Sequence, residues 1–411
     1  MMHRHEASLR VALYSHDTQG LGHIRRNLAI AAALAGAGHP PAVLLVAGTQ
    51  VTTSLVHPAG VDCLTLPAIG KNPGGAYEAR QLPIPLDEVV RLRADAIAAG
   101  LAAFQPDVLI VDKVPAGLMG ELIPALKLLR RRGRTRCILG LRDILDEPHI
   151  AAKEWRDAGS SRIVQRYYDA VWVYGDPAVY NAVREYAFLD AIAAKIRFTG
   201  YINRCDEHSC RPEDLRRQTL RDLKLSAERI ALCTVGGGQD GFSIAEAFVQ
   251  ADLPSDTAAV VLTGPFMEER DRRRLLTLAR HRNRTRVVTF TPHPERFLGG
   301  ADWVVSMAGY NTTCEILAAN KHALLVPRVR PRLEQWIRAE RLADLGAVSV
   351  IHPDVLTPEQ ISRWLAVTTE QHRKHTSIDM HGLRRVPALL HDLLHMVPPS
   401  AFVAGAQPLV H

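Results

Sequence analysis

ADWVVSMAGYNTTCEILAANKHALLVP occupies residues 301–327, and its reading decides the fold. The apolar run closing at Ser306 is continuous rather than alternating, as befits a strand of a parallel sheet buried on both faces. Gly309-Tyr310-Asn311-Thr312-Thr313 makes a turn into a helix that carries Glu315. A second apolar run, residues 322–327, follows at once. Strand, turn, helix and strand in that order form a βαβ unit.

Outward from this unit the pattern repeats. Beside its own runs at 302–306 and 322–327, apolar runs of similar length cover 229–235, 258–263, 285–290 and 347–351 on either side of it, and 9–14, 42–47, 61–66, 107–111, 136–141 and 170–174 earlier in the chain. Helical patterns separate most of them, for example Arg25 to Ala37. The series breaks near 200–215, where KIRFTGYINRCDEHSCRPEDL combines a short strand, turn residues and a proline before a new helix start. The expectation is an α/β protein of two doubly wound, Rossmann-like domains, 1–205 and 206–375, facing a central cleft, with a C-terminal helix and tail over 376–411. In open parallel sheets ligands bind beyond the carboxyl ends of the strands, so function is sought just after each apolar run.

Length and composition agree. The 411 residues suit two domains, and 47% hydrophobic with 23% charged residues is globular usage. No apolar run reaches the ~18 residues of a membrane span, and the N-terminus lacks the apolar core of a secretory signal, so the expected location is cytoplasmic. The net charge is +7. Its two arginine-rich runs, Arg130 to Arg136 and Arg270 to Arg286, lack interleaved aromatics and read as solvated helix ends, not as a nucleic-acid face. A basic surface resting on anionic lipid is the intermediate reading, which leaves room for peripheral contact with the inner face of a membrane. The six cysteines are scattered; Cys205, His208 and Cys210 lie close together but lack further ligands, so no metal site is expected.

Three segments carry chemistry. After the first apolar run, Gly20 and Gly22 bracket a turn into a helix, with His16, Asp17 and His23 gathered at the strand end, where an acid or base is useful. The third glycine of a dinucleotide fingerprint is absent, which argues against nicotinamide or flavin. The second domain opens with Gly236-Gly237-Gly238-Gln239-Asp240-Gly241 between a strand and a helix starting near Phe242, a backbone cradle for phosphate or sugar, though not a P-loop. In 301–327, Asn311 or Thr312 is expected to cap the helix and aim its free N–H groups at a pyrophosphate, and Glu315, placed within the first turn, to bind a ribose diol. Glu334 and Gln335, beyond the next strand, are expected to reach sugar hydroxyls. Asp112 with Lys113, and Arg142 with Asp143, stand at strand ends facing the cleft, as ordinary ion pairs or as acceptor contacts.

These segments resemble the GT-B glycosyltransferases of family 28, which includes the lipid-II-forming enzyme of cell-wall synthesis, and more closely a bacterial group of predicted glycosyltransferases. The resemblance covers nearly the whole chain. It implies that His23 lies at the catalytic cleft, and that Gly237, Gly238 and Gln239, with Gly241 displaced by the inserted Asp240, form the donor loop. It further implies that Ala308-Gly309 and Glu315 stand where the family has its Ser-Gly and Glu donor elements, beside the donor-site candidates Asn311 and Thr312, and that Glu334-Gln335 stands where the family has Gln-Gln. A glutamate there accepts hydrogen bonds without donating them, which leaves the sugar open. The first loop, with Gly20 and Gly22, is less glycine-rich than in the cell-wall enzyme, which points to a different acceptor.

The implied activity is inverting transfer of a sugar from a nucleotide-diphosphate donor, such as a UDP-sugar, to a hydroxyl on a small-molecule or lipid-linked acceptor, without a bound cofactor. No Asp-x-Asp occurs in the chain, which argues against a metal clamp on the diphosphate. His23 is the first candidate base, with Asp112 and Asp17 behind it. Two alternatives stay open: a non-hydrolysing nucleotide-sugar epimerase, kept alive by Asp17, Asp112 and Asp143, and a nucleotide-sugar-binding protein without turnover.

Overall fold

The computed structural model describes residues 8–16, 22–36, 40–48, 57–72, 76–203, 211–291, 293–367 and 377–395. Asp17, Gly20, Cys205, His208 and Cys210 lie outside them.

Nine strands precede the break: β1 (Arg10–Ser15), β2 (Ala42–Ala47), β3 (Val61–Thr65), β4 (Ile69–Lys71), β5 (Tyr77–Ala79), β6 (Val108–Asp112), β7 (Arg136–Arg142), β8 (Ala170–Tyr174) and β9 (Ile196–Phe198). Seven of them form one sheet in the order β3-β2-β1-β6-β7-β8-β9. Six strands follow: β10 (Arg229–Thr234), β11 (Thr257–Leu262), β12 (Thr285–Val288), β13 (Trp303–Ser306), β14 (His322–Leu325) and β15 (Ser349–Val350). They form a second sheet, β12-β11-β10-β13-β14-β15. Every pairing in the two sheets is parallel. The reason lies in the runs themselves. VLIVD, AVWVY and TAAVVL are buried at every position, so they need helices on both faces, which only crossover connections supply. β4 and β5 pair antiparallel as a hairpin inside the 67–85 loop, too short to leave a periodic signal in the sequence.

Each sheet reverses its strand order once, between β1 and β6 in the first and between β10 and β13 in the second. A crevice opens where neighbouring connections depart in opposite directions. The helix Gly22–Ala35 and Asp112 stand at the first switch point, and the Gly236–Gly238 turn and Gly309 at the second.

The chain crosses between the halves twice. After β9 it leaves through 199–203, and after the second sheet it returns at Asp379 to enter the helix Gly382–His395. The crossings are bonded to each other: Tyr201 N–H donates to the Asp379 carbonyl (2.8 Å) and Gly382 N–H to that of Tyr201 (3.1 Å). The last helix turns Val386, Leu390 and Leu393 into a hydrophobic cluster shared with Val11, Leu13 and Ile30 of the first domain and with Leu232, Val260 and Val304 of the second. Further clusters fill the outer faces of the two sheets.

Candidate active site between the domains

The first helix runs Gly22–Ala35, its start within a residue of the one expected near His23, which puts His23 in its first turn. His23 is buried, and its Nδ1 lies 2.8 Å from Asp112 Oδ2. One turn further on, Arg26 donates from Nη2 to both oxygens of the same carboxylate, at 2.7 and 2.5 Å. The Arg26 guanidinium is fully buried between the rings of Tyr174 and Tyr310, 5.5 and 5.4 Å from their centroids. Burial works against the Asp112 carboxylate, but Arg26 and then His23 outweigh it and hold Asp112 well below the usual carboxylate range.

An ionised Asp112 only accepts hydrogen bonds. The proton of a neutral His23 therefore sits on Nδ1, and Nε2 keeps its lone pair. Burial, the largest influence, lowers the His23 imidazole to about 4; Arg142 pushes the same way and Asp112 opposes. His23 is thus neutral at pH 7 and suited to accept a proton at Nε2. Asp112 is too strongly ionised and too fully engaged to be a base itself; it orients His23. His16 packs with its ring centroid 5.0 Å from that of His23 and is likewise driven toward neutrality, first by burial and next by His23.

The pair at the end of β7 separates. Asp143 turns toward the second domain, where Arg338 donates to it from Nε (2.8 Å) and Nη2 (2.7 Å) and Tyr201 Oη from 3.1 Å. Arg142 turns toward His23, with Nη2 3.4 Å from Nε2. Lys113 has left-handed backbone (φ 71°), and burial, then Arg142, lowers its ammonium to about 8.

A cavity of about 270 Å³ joins the two switch points. Gly22, Arg25 and Arg142 line it from the first domain, and Gly236, Gly237, Gly309, Asn311, Thr312 and Glu315 from the second. The helix Tyr310–Ala318 starts with Gly309 as its cap residue and no side-chain cap. The expected capping by Asn311 or Thr312 is therefore corrected, because glycine takes the cap position and both side chains fall inside the first turn. Asn311 instead donates from Nδ2 to the Gly22 carbonyl at 3.1 Å, tying the two glycine turns together across the domain boundary. Glu315, expected in the first turn, stands in the second, still lining the cavity and buried.

Gly238 and Gln239 are not among the cavity-lining residues. Gly238 has φ 97°, and a Cβ there would stand 2.2 Å from the Thr263 carbonyl oxygen, so it shapes the loop. Glu334 and Gln335 also stand off the cavity: Gln335 Oε1 accepts from Arg328 N–H (3.1 Å) and Glu334 Oε1 from Arg328 Nη2 (3.1 Å). Arg328 is held further by Asp240 at 3.0 Å. Sequence reasoning passed over Phe266 and Phe290, exposed aromatics that line the cavity just after β11 and β12. Their position beyond strand ends was the available signal. Among the described residues no group of three His, Cys, Asp or Glu could hold a metal, and no helix is long and apolar enough to cross a membrane.

Residues 232–382 match the family model of the glycosyltransferase family 28 C-terminal domain. Over 71 residues the chain is 35% identical to the UDP-N-acetylglucosamine–N-acetylmuramyl-(pentapeptide) pyrophosphoryl-undecaprenol N-acetylglucosamine transferase of Haemophilus influenzae (strain PittGG). That match spans 17% of this chain and 20% of the relative, so the chain covers only about a fifth of the length of the curated relatives it matches. Among solved structures, MurG of Acinetobacter baumannii aligns over 94% of this chain and 99% of its own with 15% identity and a TM-score of 0.53. A UDP-N-acetylglucosamine 2-epimerase of Listeria monocytogenes, described as putative, aligns over 95% and 97% with 13% identity and a TM-score of 0.60. At such identities the likeness concerns the fold, which is GT-B: two Rossmann-like domains with a cleft between them.

Proposed function

We propose, on the premise that residues 232–382 carry a family 28 C-terminal domain, that the chain is a hexosyltransferase acting on a nucleotide-diphosphate sugar. One observation carries the reading: Gly22 and Arg142, which flank the buried His23–Asp112 pair, line the same interdomain cavity as the Gly309–Glu315 helix start, and the Asn311–Gly22 hydrogen bond pins the two together.

In the proposed reaction the acceptor hydroxyl attacks the anomeric carbon of the sugar. The bond from that carbon to the β-phosphate oxygen breaks, and its electron pair leaves with the nucleoside diphosphate. The hydroxyl proton passes to His23 Nε2. Attack opposite the leaving group inverts the anomeric centre. Free N–H groups at the start of the helix Tyr310–Ala318 and in the Gly236–Gly237 turn stabilise the leaving diphosphate, so no divalent ion or cofactor is required. Glu315 accepts from the ribose hydroxyls. The expected donor is a UDP-sugar. The acceptor is a small-molecule or lipid-linked hydroxyl, met in the cytoplasm or at the inner membrane face.

Incubation with UDP-sugars in chelator, with and without candidate hydroxyl acceptors, tests the reading. Acceptor-dependent release of UDP supports it. Epimerised nucleotide sugar would favour the epimerase alternative, and binding without release under any acceptor would favour a non-catalytic binder. Glu315→Ala should weaken UDP binding by about 1.5–3 kcal/mol in calorimetry while the fold survives; unchanged affinity would remove the ribose assignment.

A further inference from the structure

Among the described residues Arg142 is a cation without a carboxylate counter-ion. It ends β7 in the first domain, lines the interdomain cavity, and its Nε is sealed from solvent with no hydrogen-bond partner. Among the described residues no carboxylate pairs with it: Asp143, next in sequence, is taken by Arg338, and Asp112 by Arg26 and His23. Its Nη2 lies 3.4 Å from the Nε2 edge of His23. A partly buried guanidinium left in this state costs stability unless an anion arrives to complete it.

The anion of the proposed reaction is the donor's diphosphate. Its other ligands, the Gly236–Gly237 turn and the start of the helix Tyr310–Ala318, line the same cavity from the opposite domain. We infer that Arg142 is the first domain's ligand for the leaving diphosphate, and that on donor binding it moves from His23 Nε2 to the phosphate oxygens, baring the base only when a donor is in place. The inference rests on the glycosyl-transfer reading. It makes Arg142 a catalytic residue: negative charge grows on the bridging β-phosphate oxygen as the anomeric bond breaks, and a guanidinium fork stabilises it where it develops. It also fixes an order, donor before acceptor, because without donor the lone pair that must take the acceptor's proton faces a cation.

The charged and titratable groups around Arg142 include His16, His23, Asp112, Arg26, Lys113, Arg338 and Glu334. Apart from Asp112 and Glu334, each of which has an arginine partner, they are cationic or neutral. Removing the Arg142 charge therefore orphans no carboxylate.

The test uses Arg142→Gln and Arg142→Lys in the full chain, with calorimetry against UDP, UMP and uridine. Arg142→Gln is expected to melt no lower than the parent, to bind uridine unchanged, and to lose about 10–100-fold in UDP affinity. Arg142→Lys, keeping charge without the fork, should fall between. His23 titration by NMR supplies a second readout: its midpoint should rise when UDP binds the parent, and should already stand higher in ligand-free Arg142→Gln. Equal UDP affinity in parent and Arg142→Gln, or a His23 midpoint indifferent to both UDP and the substitution, overturns the inference while leaving glycosyl transfer intact. Failure of the parent to bind any of the three probes overturns both.

Discussion

In the proposed reaction His23 and Asp112 divide one job between them, and substitutions separate the shares. His23→Ala is expected to lower kcat by about 10²–10⁴-fold with donor affinity nearly unchanged, and His23→Gln to be almost as slow, since it keeps size but not basicity. A Gln variant with near-normal turnover would remove His23 as the base. Asp112→Asn has a further effect: it strips the counter-charge from Arg26, which is fully buried, and should cost about 3–5 kcal/mol in chemical denaturation besides slowing turnover. Acid adds a third expectation. Folded His23 titrates at about 4 against 6.5 for the free side chain, so the unfolded chain takes up the proton first. Stability from this group is complete above pH 6.5 and is lost as pH falls toward 4, by up to roughly 3 kcal/mol at 1.36 kcal/mol per pH unit. The slope of stability against pH in that window should flatten in His23→Gln, and an unchanged slope would contradict a buried neutral imidazole. The sequence put His23 ahead of Asp112 and Asp17 because it follows a glycine turn at a strand end, while Asp112 was legible only as a strand-end residue. It could not show that Asp112 serves His23, since that depends on Arg26 reaching back one turn and on burial, and both are set by packing.

At the scale of elements the parallel strands were the most legible part. Each of the twelve apolar runs named from the sequence coincides with a strand to within a few residues, because burial on both faces leaves an uninterrupted stretch such as AVLLVA or AVWVY. The helix start at Gly309 was less so. Asn and Thr are good caps by type, yet a glycine one residue before the helix takes that place and releases Asn311 for the interdomain bond to Gly22. The Glu334-Gln335 pair, expected to reach sugar hydroxyls, also holds the Arg328 loop, a use that only three-dimensional proximity reveals. The glycine turn after β10 carries its own prediction. Gly238→Ala must place a Cβ 2.2 Å from the Thr263 oxygen at φ 97°, so the loop has to shift. A loss of about 1–3 kcal/mol in stability is expected, together with weaker UDP binding, because the displaced turn carries Gly237 with it. A stable variant with intact affinity would show that the turn has slack.

Across the whole molecule the halves are joined by more than apolar contact. Arg338 of the second domain grips Asp143 of the first through two hydrogen bonds and also donates to the Ala308 carbonyl (2.8 Å), one residue before the Gly309 cap. Arg332 reaches Asp146 (3.2 Å) and Glu154 (2.6 Å), and Arg341 reaches Glu185 (3.0 Å). Arg338→Met leaves Asp143 buried and unpaired and should destabilise the protein by about 3–5 kcal/mol, most of it recovered when Asp143 becomes leucine in the same chain. Small-angle scattering should show the single variant more extended, with saturating UDP restoring compactness; identical scattering with and without nucleotide would count against a hinged cleft. The paired crossings also determine how such a hinge turns. A single connecting segment would leave one half free to swivel about it in every direction. Two segments held side by side by Tyr201, Asp379 and Gly382 resist twisting and stretching, and yield readily only to bending across their common width. Any relative motion of the halves would thereby be confined to one rotational freedom, and the two glycine turns tied by Asn311 would meet in the same register at each closure.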